Sequence, residues 1–488
     1  MATIISMLGG AGSPARAVAQ TTAAQTAVPS ASPSASPSVP GDRDTTARTA
    51  PPLLLGTLYQ QLADASPRLE AAQALARAAE ARVPGAKRPP DPRLQLGFMN
   101  RELPSLKPMA PLGMTEIQLM QMVPVAGKLG LAGDVAEAQA AAARSRAADV
   151  QWDLRAQAAM AFYDLYQADR SLEVALSTRR LLENIATTAR TMYAVGEGRQ
   201  PDVLRAQVEI ARMTEDIVRM QTMRTSMDAR LAALLNRAPG GYPASPGLAA
   251  PVLPAPVLPA PVLPAPVLPA LPAELPAIDS LIRLAEASRP MIQAGRDELR
   301  GAEAAATLAR RELWPDLEVG VQYGWGPGAM GEGTAQMGSL MLGASIPIFA
   351  RSRQLQMREE AAAMRTMATA DLAAMRAETA GRIAAVYADW RRARNLSELY
   401  QGTILPQAQA TITSSLAAYR VGDVNFMTLL DNQMTLNRYE QELYALVAEQ
   451  GKAIAELEML IGRELFDPNT VAAPAAGSER CARDRVTC

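Results

Sequence analysis

The chain has 488 residues, room for roughly three domains of about 150 residues each, so length does not restrict the core. With 48 Lys and Arg against 49 Asp and Glu, the net charge of −1 leaves no electrostatic footprint for nucleic acid, and the absence of histidine removes Ser/His/Asp triads, Cys/His dyads and histidine zinc sites. Apolar residues reach 49% while aromatics stop at 4%, an aliphatic, methionine-rich composition that favours long helices.

Residues 1–19 carry an apolar stretch (Ile4, Ile5, Met7, Leu8) and close on Ala17-Val18-Ala19, the small-residue pattern of an export-signal cleavage site, although no Lys or Arg precedes Arg16. Residues 20–52 are dominated by Ala, Ser, Thr and Pro and read as a flexible leader. Pro251-Val252-Leu253-Pro254-Ala255 then recurs in tandem within a proline-rich linker, 248–275, whose residues forbid helix interior. The tail, 467–488, holds both cysteines, Cys481 and Cys488. No later window is apolar and long enough for a transmembrane helix.

The segments on either side of the linker, 53–247 and 276–466, repeat one another. Pro92-Arg93-Leu94-Gln95-Leu96-Gly97 matches Pro315-Asp316-Leu317-Glu318-Val319-Gly320, Pro124 matches Pro347, and Tyr193-Ala194-Val195-Gly196 matches Tyr419-Arg420-Val421-Gly422. Within each repeat the period changes. Leu317, Val319, Val321, Tyr323 and Trp325 alternate with Asp316, Glu318, Gly320, Gln322 and Gly324, and Leu340, Leu342, Ala344 and Ile346 alternate with Ser339, Met341, Gly343 and Ser345. Leu94, Leu96, Phe98, Ile117, Leu119 and Val123 do the same in the first repeat. Each run is close to the 9 to 11 residues that a tilted strand needs to cross a bilayer. Four such strands cannot close a barrel, and an open edge in lipid costs several kcal/mol per unpaired group. Copies of the chain must therefore pool their strands.

The helical segments are tall. Asp134 to Val195 contains neither Gly nor Pro and predicts one helix of about 93 Å. Asp202 to Ala238 and Pro290 to Leu313 predict about 55 and about 36 Å, which placed end to end would match it. Val203, Ala206, Ile210, Met213, Ile217 and Met220 form a coiled-coil seam. Val83-Pro84-Gly85 is expected to break the first helix, and Gly381, Gly402 and Pro406 to interrupt Arg351 to Tyr419, with a kink near Pro406. A second reading keeps the same helices as a coiled-coil scaffold without a pore and folds the alternating runs into an ordinary sheet.

The duplicated strand-strand-long-helix unit, Pro124-Val125-Ala126-Gly127-Lys128-Leu129 with its counterpart Pro347-Ile348-Phe349-Ala350-Arg351, and the two Tyr-x-Val-Gly turns resemble the TolC-like outer membrane efflux proteins over residues 53 to 466. The resemblance implies a mainly α fold with a β-barrel contribution: a homotrimer with a twelve-stranded barrel among outer membrane lipid and a twelve-helix tunnel in the periplasm. It implies a passive duct, with no cofactor and no catalysis, that meets a periplasmic adaptor and an inner-membrane pump of the resistance-nodulation-division type. The turns Val195, Gly196, Glu197 and Val421, Gly422, Asp423 would dock the adaptor, and Asp202 and Asp431 would narrow the tunnel, Thr428 standing where relatives carry a further aspartate. Each aspartate also reads as a solvated residue near a helix N-terminus. Phe98 to Leu131 is similar to the heavy-metal branch, which points to metal ions such as copper or silver, or to drugs, as cargo. Met99, Met109, Met114, Met120 and Met122 offer soft thioethers, whereas Met213, Met220 and Met227 at heptad spacing read as packing.

Overall fold

A computed structural model describes residues 53–99, 102, 113–237, 266–327, 333–346 and 348–470. The expected signal, leader, most of the linker and both cysteines lie outside the described residues. In chain order the elements are α1 (Leu55–Ala65), α2 (Pro67–Ala86), β1 (Arg93–Met99), β2 (Met114–Val123), α3 (Lys128–Ala194), α4 (Gln200–Leu234), α5 (Ile278–Ser288), α6 (Pro290–Arg311), β3 (Leu317–Pro327), β4 (Thr334–Ala344), α7 (Gln354–Leu399), a π turn (Tyr400–Ile404), α8 (Leu405–Arg420) and α9 (Phe426–Ile461).

The long helix is longer than its Gly-free stretch. α3 has 67 residues, about 100 Å, because it starts at Lys128, directly after Gly127, whose φ of 74° turns the chain out of β2, and it runs on through Gly130 and Gly133. α7, the π turn and α8 form its counterpart in the second repeat. Gly381 does not interrupt α7, and the irregularity ahead of Pro406 takes the form of the π turn, a local widening of the backbone ladder just before the residue that lacks an N–H. The expected break at Pro84 does not occur. Pro84 sits inside α2 two residues from its end, where few hydrogen bonds remain to be lost.

The shorter helices do stack end to end beside the long ones, but the partners differ from those expected. Along one side of α3, α4 is registered by Arg224 on Asp169 and α2 by Arg68 on Asp153 and Arg144 on Glu80. Along its other side, α9 is registered by Lys452 on Asp164 and α6 by Arg146 on Glu298. α6 therefore stands on α9, where Gly462 caps the lower helix against Pro290 of the upper, and α2 stands on α4. Arg382 on Glu456 and Arg392 on Glu449 place α7 outside α9. The wall has four columns in the order α4/α2, α3, α9/α6 and α7/α8.

Among the described residues three apolar clusters hold it. Phe162, Tyr163 and Leu165 of α3 meet Leu58 and Leu62 of α1 and Leu231 and Leu235 at the end of α4, and Gly451 of α9 leaves the room that the Tyr163 ring fills. The seam of α4 packs as its period predicts: Ala206, Met213 and Ile217 are buried and Val203, Ile210 and Met220 line the same cluster. Ile383, Val386 and Trp390 of α7 pack on Ile454, Leu457 and Ile461 of α9. The described end of the linker crosses the wall at this height, with Val267 N–H donating to Leu53 O and Ala270 N–H to Thr470 O.

The strands form one antiparallel sheet in the order β1-β2-β3-β4. Its central pairing, β2 with β3, joins the two repeats, for example Leu119 opposite Val321. β1 and β4 are left as edges.

Candidate functional site: the sheet and the inner turns

The sheet is inside out relative to one in a water-soluble protein. The register puts Leu94, Leu96, Ile117, Leu119, Val319, Val321, Leu340 and Leu342 on one face. Leu94 is 65%, Leu340 70% and Leu342 78% exposed. The opposite face carries Gln95, Glu116, Gln118, Glu318, Gln322 and Ser339, and these side chains touch one another: Gln322 donates to Glu116. Gly320 and Gly324 at its centre are buried. An apolar face turned outward, on strands of 10 residues in β2, 11 in β3 and β4 and 7 described residues in β1, and a sheltered polar face suit a wall between lipid and water.

Where sheet meets wall, Lys128 is the feature that sequence reasoning passed over. It is 5% exposed, and its Nζ donates to Trp314 O at 2.9 Å and Asp316 Oδ1 at 2.8 Å, with Glu312 at 3.5 Å. It fastens the β2-α3 joint of the first repeat to the α6-β3 joint of the second. The signal was available in the matching of Lys128 with Arg351, two cations at equivalent ends of strands.

At the far end of the wall both expected turns are Schellman caps. Gly196 has φ 83° and Gly422 φ 82°. Gly196 N–H donates to Tyr193 O at 3.1 Å and Glu197 N–H to Met192 O at 2.9 Å; Gly422 N–H donates to Tyr419 O at 3.1 Å and Asp423 N–H to Ala418 O at 3.0 Å. The pattern leaves Val195 and Val421 projecting at 67% and 72% exposure, with Glu197 and Asp423 exposed beside them. The turns share one neighbourhood, because Ala189 before the first packs in the same cluster as Tyr419 and Phe426 on either side of the second.

Asp202 lies in the first turn of α4 close enough to Tyr419 that its charge, after burial, helps hold that phenol above its ordinary range. Asp431 is exposed on α9. Within the single chain no hydrogen bond or ion pair joins these two carboxylates among the described residues. Thr428 has a capping role: its N–H and hydroxyl donate to Asn425 Oδ1 at 2.9 and 3.0 Å and start α9.

A tall duplicated helical wall ending in a sheet whose apolar side is turned outward is the build of a channel protein of the outer membrane type. The chain matches the family described as outer membrane efflux protein over residues 58–237 and 281–463, and it belongs to that family. It is 22% identical over 341 residues to the cobalt-zinc-cadmium resistance protein CzcC of Cupriavidus metallidurans, a match that covers 70% of this chain and 75% of that one. Its fold is similar to that of VceC from Vibrio cholerae, with TM-score 0.68 and 16% identity over 84% of this chain and 97% of that one. It is also similar to CusC, with TM-score 0.67 and 16% identity over 87% and 96%. The family consists of passive channels rather than enzymes, with the strands in the outer membrane and the helical tunnel in the periplasm.

Proposed function

We propose that the chain is the outer membrane channel of a tripartite efflux pump, a homotrimer that pools its strands into a twelve-stranded barrel and its columns into a twelve-helix tunnel. The observation that carries this is the inside-out sheet with two open edges, β1 and β4. Lipid tolerates no unpaired edge, and at least two copies are needed to reach the usual minimum of about eight strands. Residues 53–247 and 276–466 form the two structural repeats, and 1–19 the export signal.

The duct receives its cargo from a periplasmic adaptor and an inner-membrane pump of the resistance-nodulation-division type. Val195, Gly196 and Glu197 with Val421, Gly422 and Asp423 dock the adaptor, since they project two apolar side chains and two carboxylates from rigid caps. Asp202 and Asp431 line the narrow inner end and favour cations there. Heavy-metal ions are the favoured cargo, supported by the name of the CzcC relative.

Purification and planar-bilayer recording test the reading together. The protein should leave the membrane only with detergent, crosslink as a trimer and conduct ions, and Asp431→Ala should lower cation selectivity while the trimer persists. A monomer soluble in plain buffer overturns the channel; unchanged selectivity overturns the role of Asp431 alone.

A further inference from the structure

The described strands contain six methionines: Met99, Met114, Met120, Met122, Met337 and Met341. The register places all six on the polar face, together with Gln95, Glu116, Gln118 and Gln322, and none on the apolar face. If these methionines served only as apolar filling, the lipid-facing side would hold its share. Their placement asks for a chemical reason rather than a packing one.

Two of them converge. Met120 of β2 and Met341 of β4 flank Gly320 of β3 in one row across the sheet. A Cβ at Gly320 would lie 3.3 Å from Met120 Cγ and 3.5 Å from Met341 Cβ, so the glycine leaves open the space between the two side chains. One amide nitrogen, Gln118 Nε2, reaches both sulfurs, at 2.9 Å to Met120 Sδ and 3.8 Å to Met341 Sδ. A related arrangement lies two rows further along the same face, where Glu116 is the β2 partner. Met337 stands opposite Gly324, and the Met114 sulfur lies over the same glycine. Glu116 and Glu318 share this face with one cation among the described strand residues, Arg93, which stands opposite Met120, so the face as a whole carries more acid than base.

We propose that Met120 and Met341 form a binding site for a soft monovalent metal ion, Cu(I) or Ag(I), on the bore side of the barrel. Thioether sulfur is a soft donor that prefers such ions to Zn(II), Co(II) or alkali cations. A pair of neutral donors open to water holds its ion weakly enough to release it, as a duct requires. The Gln118 amide occupies the sulfurs in the empty site and is displaced by the ion. The proposal rests on the reading of the polar face as the wall of an aqueous bore.

The test is Ag(I) titration of the full-length protein in detergent and chloride-free buffer, in a Cys481→Ser/Cys488→Ser background that removes the tail thiols. Saturable binding is expected, weakened at least tenfold by Met120→Leu/Met341→Leu, unchanged by Met223→Leu on the exposed side of α4, and not competed by Zn(II). Planar-bilayer conductance of the same preparations separates the two readings. A chain that conducts, yet binds no silver or binds it equally well with both leucines in place, overturns the methionine site and leaves the channel standing. A chain that forms no pore overturns the bore and this site with it.

Discussion

Burial raises the Glu458 carboxyl to about 7, against the pull of the Leu465 N–H that donates to it at 2.7 Å and of the nearby Arg155 guanidinium. Arg155 is itself held between Glu464, at 2.6 Å, and the rings of Tyr59 and Trp152. Because the folded protein binds this proton more tightly than the unfolded chain, whose value is near 4.5, the associated stability is complete below about 4.5 and is lost as pH rises through about 7. The loss amounts to about 3 kcal/mol. Glu458→Gln keeps an acceptor for Leu465 and removes the ionisation. It should melt with the parent protein at pH 5 and above it at pH 8.5; parallel melting curves at both values would show that Glu458 is not the titrating group. Nothing in the sequence marked this residue, since a glutamate near a helix end reads as solvent-exposed until Tyr59 of α1 and the backbone of Leu465 and Phe466 are seen to close over it.

Among the elements, period was legible and partnership was not. Alternation sustained through Leu317 to Trp325 leaves one face apolar in any packing, and a Gly- and Pro-free run as long as Asp134 to Val195 can hardly be anything but one helix. Which short helix stands on which depends on how the chain returns across the wall, and local sequence does not carry that. α4 and α6 are separated along the chain by the linker and α5 alone, yet α6 continues the column of α9 and α2 continues that of α4. Pro84 failed as a breaker for a related reason: a proline rule describes helix interiors, and α2 ends two residues later. The Lys128 fastening is likewise a contact between joints far apart in sequence. Its worth can be measured. Lys128→Met leaves Asp316, its side chain only 22% exposed, without its cation, and should lower stability by about 3 kcal/mol. Adding Asp316→Asn should recover part of that loss in a double-mutant cycle. Independent, additive effects would mean that the pair does not couple the repeats.

For the whole molecule the decisive feature is what one chain leaves uncovered. Among the described residues one outer column leaves Leu204, Val208 and Val218 of α4 exposed, the other leaves Met357, Met364 and Met367 of α7 half-exposed along a groove that α3 and α6 also line, and both outer strands end the sheet. The incompleteness occurs at matching edges of wall and sheet, which is what a ring of identical copies would close. The orientation of the sheet within that ring is open to a test that neighbouring residues provide, because Ser339 and Leu340 point to opposite faces. Leu340→Arg puts a charge in lipid at a cost of about 2–4 kcal/mol per copy, and the protein recovered from the outer membrane should fall sharply. Ser339→Arg puts the same charge into a water-filled bore and should leave recovery unchanged. If the two variants insert equally well, the exposed leucine face does not meet lipid, and the sheet packs against protein instead.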